Sequence, residues 1–421
     1  MARVAMVVWN EFLNDARVLK EAETLVAAGY DVTVHALHTP GVTRYSERLR
    51  SGVMVSRVAR SPFWKLRKIE RSSTALDKSA NDKQRFMTSN NSKQLSGVKQ
   101  ILRILARAWT HLGLFWRMVK LRPDIIHAHD VNTLPTAWLA AKICQAKVIY
   151  DAHEISTSRE GYSNFRTLVA LIEGTLMPRV SGIITTTDTR AKFFSRAYSI
   201  PRPLVLQNRP RFQQSQKSTR IRDELKFDMP WPIVIYQGGV QQGRGLERLA
   251  TIAADVPDAY FVFIGGGRLD DVLRDIVKKL DIQDRVHFIP TVSLSELPSY
   301  TASADIGVQP IENTCFNHYT TDSNKLFEYV QAGLPIIASD LPEIRHLVKQ
   351  YDLGVLIPPG NSKAMTQAIR DMVDNIKSRE LYASHAAQAS ETLNWEEQEH
   401  KLINLYAQIF DTPVPQKLKE D

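Results

Sequence analysis

Two cysteines, Cys144 and Cys315, are all that the 421 residues contain. They stand far apart, with no metal-ligand spacing and no disulfide framework, which points to a reducing, cytoplasmic compartment. No window approaches the roughly 18 uninterrupted apolar residues of a membrane-spanning helix, so any membrane contact is expected to be peripheral. The opening MARVAMVVW is stopped by Asn10 and Glu11 with no cleavage-like site behind it, and reads as a buried strand rather than a leader. Glycines are missing where a dinucleotide oxidoreductase would want them, because Asn10, Glu11, Phe12, Leu13 and Asn14 follow that strand in place of G-x-G-x-x-G. No pair of carboxylates suited to glycosidase chemistry stands out. No DxD-type cluster is placed to hold a metal.

What is present is an ordinary globular balance, 43% hydrophobic and 24% charged, long enough for two domains with large cores. Apolar runs of four to six residues alternate with helical patterns: VAMVVW, DARVLKEAETLVAAG, DVTVHAL, then DIIHAH, TAWLAAKIC, KVIYDAH and GIITTT. Such runs predict parallel strands covered on both faces. A crossing near residues 208–231 leads to a second set: IVIYQGG, YFVFIGGG, VHFIP, IGVQP, PIIAS and GVLIPP, with helices between. The fold class is therefore α/β, with two doubly wound Rossmann-like domains facing a cleft and ligands beyond the carboxyl ends of the strands. We expect an N-terminal domain over 1–207 with a basic insertion near 60–100, and a linker over 208–231. A C-terminal domain over 232–393 and a closing helix and tail over 394–421, packing back on the N-terminal domain, complete the expectation.

The stretch SNKLFEYVQAGLPIIASDLPEI, residues 323–344, places Glu328 among Leu326, Phe327, Tyr329 and Val330. A carboxylate on a largely buried helix needs a partner, and a hydroxyl-rich ligand would supply one. Asp340 and Glu343, three residues apart around Pro342, read as a capping box.

YQGG followed by GRGLERL, then FIGGG and SNKLFEYVQAGLPIIASD, with DARVLKEA, HAHD and YDAHE ahead of them, resembles the retaining GT-B glycosyltransferases of the family-4 type. The resemblance runs through nearly the whole chain apart from the basic stretch. It implies a hexosyltransferase-type enzyme moving sugar from a nucleotide-diphosphate sugar to a glycan or lipid-linked acceptor with retention, in surface polysaccharide or glycolipid synthesis. It implies no cofactor and no required metal. Glu328 would bind the ribose hydroxyls. Arg244, one residue short of the family's second basic position, and Lys325 would bind the diphosphate. Gly238, Gly239 and Gly266, with Ser323 and Asn324 at a helix start, would complete the donor site. His129 would lie near the donor sugar and departing phosphate, making His129, Arg244 and Lys325 the catalytic candidates. Asp15, Arg17, His153 and Glu154 are acceptor-side candidates. Two departures stand out: Gly239 replaces the family's first basic residue, and Thr320 stands where the pattern has an acidic residue eight positions before Glu328. Both would suit a catalytically weakened binding module, the rival reading from another class; a nucleotide-sugar epimerase is the enzymatic rival.

The formal charge of +9 is unevenly spread. Residues 57–122 hold sixteen Lys or Arg against three acids, a net +13 that exceeds the charge of the whole chain. Such a patch fits an anionic membrane surface, and nucleic acid is not expected. Within VKQILRILARAWTHLGLFWRMVKL, Lys99, Arg103, Arg107, Arg117 and Lys120 share one half of a helical wheel. Ile101, Leu105, Ala108, Leu112, Trp116 and Val119 share the other, which predicts a helix with its apolar side on the sheet and its basic side in water.

Overall fold

The protein is described here from a computed structural model that covers residues 1–61, 97–214 and 216–410. Lys65, Arg67 and Lys68, and most of the insertion near 60–100, lie outside the described residues. Packing divides the chain into two compact units: Met1–Leu13 with Ala22–Asp151, and Asn14–Glu21 with Ala152 onward.

In the first unit β1 (Arg3–Val7), β2 (Asp31–His38), β3 (Ser46–Arg48), β4 (Met54–Ala59), β5 (Ile125–His129) and β6 (Lys147–Ala152) run in the order β3-β4-β2-β1-β5-β6. All are parallel except β3 against β4. Every residue of β5 is buried, His127 and His129 included. The helix Gly97–Leu121 corrects one expectation. Thr110, Leu114 and Met118 face inward, while Ile101, Leu105, Leu112 and Trp116, expected on the sheet, are exposed. Arg117, expected in water, stacks 4.6 Å from the Tyr45 ring and donates to Ser56 Oγ at 2.6 Å. Burial, with the Arg117 charge adding to it, pushes His35 down to about 3. Arg103, Arg107 and Lys120 are exposed as expected, but the inward stripe runs through Thr110, Leu114 and Met118 and not through the expected apolar residues.

The second unit holds the parallel pair β7 (Gly182–Thr185) and β8 (Leu204–Val205) and a six-stranded parallel sheet. Its strands are β9 (Ile233–Gln237), β10 (Tyr260–Ile264), β11 (Val286–Ile289), β12 (Ile306–Gln309), β13 (Ile336–Ser339) and β14 (Gly354–Ile357), in the order β11-β10-β9-β12-β13-β14. Successive residues of β9 feed opposite cores, Ile233 and Ile235 packing with Phe327 and Tyr329, and Val234 and Tyr236 with Leu249 and Phe261. The strand order reverses at β9, so its carboxyl end is the topological switch point where such sheets bind ligands. The helix Asn324–Gln331 buries Leu326, Phe327, Tyr329 and Val330 there, and an unanticipated helix, Ile376–Ser390, packs on it. The last helix, Glu396–Phe410, sets Leu405 and Ile409 against Gly182, and Gln398 Oε1 accepts the Gln207 amide at 3.2 Å.

Candidate functional site

At the switch point the loops after β9 and β10 nest backbone against backbone. Gly265 has φ +137°, and a Cβ there would lie 2.1 Å from the Gly238 carbonyl oxygen, which no side-chain rotation can relieve. Gly265→Ala is therefore expected to cost about 1–3 kcal/mol of strain or more, read as a lower urea midpoint at unchanged slope. An unaltered midpoint would show that the loops have room to separate. Gly239 and Gly266 sit in the same loops with space for a side chain, so neither is sterically required.

Arg244 and Lys325 converge here. Both are half-buried, and neither has a hydrogen bond or ion pair among the described residues. Lys325 is tucked against Gly238, where a Cβ would meet its Cε at 2.3 Å, and its Nζ lies 5.7 Å from the Tyr236 ring centroid. Burial, with the Arg244 charge adding to it, pushes the Lys325 amine down to about 8, while Glu328 opposes the shift. Two adjacent cations with no ion pair among the described residues suit an anion. The loop carrying Arg244 is pinned from the 310–318 segment: the Glu312 amide donates to Gly243 O at 2.9 Å, and Glu312 pairs with Arg248 at 2.9 Å.

One turn along the same helix stands Glu328. Gln237, at the end of β9, donates from Nε2 to Glu328 Oε2 at 2.5 Å, and its own Oε1 accepts from Thr301 at 2.7 Å. Burial pushes the Glu328 carboxyl above the ordinary range; the Gln237 bond, Lys325 and Lys20 hold it back. Beside it opens a cavity of about 680 Å³ lined by Lys20, Arg211, Leu297, Asn324, Glu328 and Gln331 among others. Lys20 bonds the Arg209 carbonyl and lies 5.2 Å from the Trp395 ring centroid; burial and then Arg17 push it down to about 7. Ser323 begins the helix at φ +53° without a side-chain cap, and its hydroxyl instead accepts from Gln309 at 2.8 Å.

Thr320 has a partner the sequence did not reveal. Buried Arg190 donates from Nε to Thr320 Oγ1 at 3.1 Å, from Nη1 to His153 O and Thr186 Oγ1, both at 2.6 Å, and from Nη2 to Asn317 O at 3.1 Å. Burial lowers its pKa, and it raises that of Asp322 nearby, whose carboxyl is pushed up by burial and held back first by Arg190.

The remaining candidates divide by unit. In the first, His129 lies with its Nδ1 3.4 Å from Asp151 Oδ2. In the second, Asp15 accepts the Val18 amide at 3.2 Å, the expected N-cap. Buried Arg17 pairs with Glu21 at 3.0 Å and donates to Leu206 O at 2.7 Å, bracing its helix. Half-buried Glu154 pairs with Arg159 at 3.6 Å, beside His153. The capping box at 340–343 is a correction: Leu341 is the N-cap, Asp340 instead pairs with Arg345 at 2.5 Å, and Glu343 accepts the Thr189 amide at 2.7 Å. Gln237, Thr301 and Arg190 carried no signal in the sequence, each being an ordinary residue whose partners come from elsewhere in the chain.

Two parallel-sheet Rossmann-like domains, with a carboxylate, two unpartnered cations and a cavity at one switch point, define the GT-B class of sugar-nucleotide enzymes. Residues 15–209 match the glycosyl transferase 4-like domain and residues 217–389 match glycosyl transferases group 1. The chain belongs to the group 1 glycosyltransferases of the family-4 type, and it is an enzyme of class EC 2.4. It is 25% identical over 160 residues to an alpha-D-kanosaminyltransferase of Streptomyces kanamyceticus, a match spanning 37% of this chain and only 40% of that relative. It is 21% identical over 314 residues to a D-inositol 3-phosphate glycosyltransferase of Corynebacterium glutamicum (strain R), covering 69% of this chain and 74% of the relative. The fold is also that of HepE from Anabaena in complex with UDP-glucose, at TM-score 0.69 and 14% identity over 98% of this chain and 99% of the other.

Proposed function

We propose that this glycosyltransferase moves a hexosyl group, with retention, from a nucleotide-diphosphate sugar to a glycan or lipid-linked acceptor in surface polysaccharide or glycolipid synthesis. The observation that carries this is the pair of cations Arg244 and Lys325, with Lys325 one helical turn before Glu328. Glu328 accepts the ribose hydroxyls, and the adjoining cavity takes the nucleoside. Arg244 and Lys325 hold the diphosphate and stabilise the charge that grows on it as the glycosyl bond breaks, with no metal required. The amide groups opening the helix Asn324–Gln331, at Ser323 and Asn324, add a positive dipole end to the same anion. Gly238, Gly239 and Gly266 let phosphate oxygens approach the backbone. His129 acts on the donor sugar. On the acceptor side, His153 and Glu154 supply contacts while Asp15 and Arg17 hold the helix between them.

The test is nucleotide release from a panel of UDP-, GDP- and dTDP-sugars with and without lipid extract, followed by the anomeric configuration of the product. Acceptor-dependent release with retention is expected. Sugar isomerisation without release would mean an epimerase, and binding without turnover would leave a binding module.

We place the reaction at the cytoplasmic membrane face. Trp116 is 60% and Ile101 58% exposed on the helix Gly97–Leu121, in a row with Leu105, Trp109 and Leu112; the helix Leu134–Cys144 packed beside it exposes Leu139 and Ile143. Arg103, Arg107 and Lys120 are exposed on the same helix. Apolar residues, interfacial tryptophans and cations on one helix suit the anionic interface of a bilayer. No helix among the described residues is long and apolar enough to cross one. Each buried leucine contributes about 1.5 kcal/mol or more, so the triple variant Leu105→Glu/Trp109→Glu/Leu112→Glu should lower binding to anionic vesicles at least about a hundredfold. Binding of wild type should rise with anionic lipid, fall with salt, and drop when Lys65, Arg67 and Lys68 become Glu. Co-sedimentation equal for wild type and the triple variant, or tighter binding to RNA, would defeat this placement.

A further inference from the structure

The side chain of Gln237, at the carboxyl end of β9, is 1% exposed and lies between two groups of the second unit. Its Nε2 donates to Glu328 Oε2 at 2.5 Å, and its Oε1 accepts from the Thr301 hydroxyl at 2.7 Å. An ionised carboxylate can only accept and a hydroxyl has a proton to give, so these partners fix which end of the amide faces Glu328. The backbone N–H of Gln237 also donates to the Tyr329 hydroxyl at 3.4 Å, on the helix that carries Glu328. Among the described residues no other hydrogen bond reaches the Glu328 carboxylate, and Glu328 lines the adjoining cavity.

We propose that Gln237 is a positioning residue for donor binding: its amide anchors Glu328 Oε2 and leaves Oε1 as the oxygen offered to ribose. A carboxylate tied at one oxygen needs little ordering when the ligand arrives. The same bond favours the ionised form that ribose needs, against the burial that disfavours it. Lys325 on the same helix, and Lys20 on the helix Ala16–Ala27, act in that direction too. Gln237 itself touches no substrate. The inference rests on the reading of Glu328 as the ligand of ribose.

The test is calorimetric titration of the full chain with UDP, GDP or dTDP, whichever binds, across pH. Gln237→Met keeps the length of the side chain, and the Thr301 hydroxyl retains the Leu297 carbonyl at 2.9 Å as an acceptor. This variant is expected to weaken nucleotide binding about 10-fold, to leave kcat with the donor found in the panel within about threefold, and to move the acid limb of the affinity profile to higher pH. In the Glu328→Gln background the same change should weaken binding by no more than about threefold further. An acid limb that stays in place, or additive losses in the double variant, would overturn the proposal and leave Gln237 as packing at the strand end. A crystal structure of the wild-type chain with the nucleotide decides even if Gln237→Met does not fold. Ribose on the carboxylate oxygen that Gln237 does not hold is expected; ribose on the held oxygen, or Gln237 turned away, would overturn the proposal. Failure of the ribose reading would appear instead as an unchanged Kd in Glu328→Gln itself.

Discussion

Replacing Arg244 with alanine is expected to lower kcat about 100- to 1000-fold while weakening donor binding less than about tenfold, because charge on the departing diphosphate is greatest in the transition state. Arg244 is suited to this by what it lacks, since nothing among the described residues neutralises it. A guanidinium already spent on a carboxylate would have to break that pair to serve a phosphate; this one is available in place, and its planar fork matches two phosphate oxygens. Its loop is held by Glu312 through Gly243 and Arg248, so little reorganisation is needed as the bond breaks. A second consequence is independent of turnover. Arg244 is one cause of the depressed Lys325 amine, so Arg244→Ala should raise the Lys325 pKa from about 8, detectable as slower amine labelling near neutral pH. Equal loss in kcat and in donor affinity would reassign Arg244 to ground-state binding, and loss in neither would place it at the surface.

The strands of both domains were legible because each is a short apolar run between helical patterns, and a strand covered on both faces leaves that signature whatever its neighbours are. Glu328 was legible for a related reason: one acid in an otherwise buried helix has few bland explanations. Its partner was not. Gln237 lies 91 residues away in sequence, and nothing about a glutamine at a strand end announces which carboxylate it will hold. Arg190 reads as a surface residue of an amphipathic helix until Thr320, Asn317 and His153 are brought around it. The helix Gly97–Leu121 shows the limit of periodicity itself. A wheel states which residues travel together, not which half turns inward; Tyr45 and Ser56 supply stacking and a hydrogen bond for Arg117, and those partners decide the matter. The capping box at Asp340 and Glu343 misled because both acids found stronger partners, Arg345 and the Thr189 amide, than the first turn of their own helix.

Glu328→Gln is expected to weaken nucleotide-sugar binding by about 10- to 100-fold, the loss of charge-assisted hydrogen bonds worth about 1.5–3 kcal/mol, while leaving the fold at least as stable. The two halves of that expectation have one origin. Burial raises the Glu328 pKa above its unfolded value, so the ionised form is disfavoured in the folded chain without ligand. Any stability linked to this group is fully present below the unfolded pKa and is lost as pH rises through the higher folded one. A neutral amide avoids that loss, and Gln237 can still donate to its oxygen. Near neutral pH the melting temperature of Glu328→Gln should therefore equal or exceed that of wild type, while its Kd for the donor rises. In wild type the ribose contacts need the carboxylate, so donor affinity should begin to fall, as pH is lowered, at a higher pH than the ordinary glutamate value of about 4.3 would give. Glu328→Gln should lack that limb of the profile. Calorimetric titration of both proteins across this range decides the point: an unchanged Kd removes Glu328 from the site, and a weakened Kd accompanied by a lowered melting temperature would make it a support of the helix instead of a ligand for ribose.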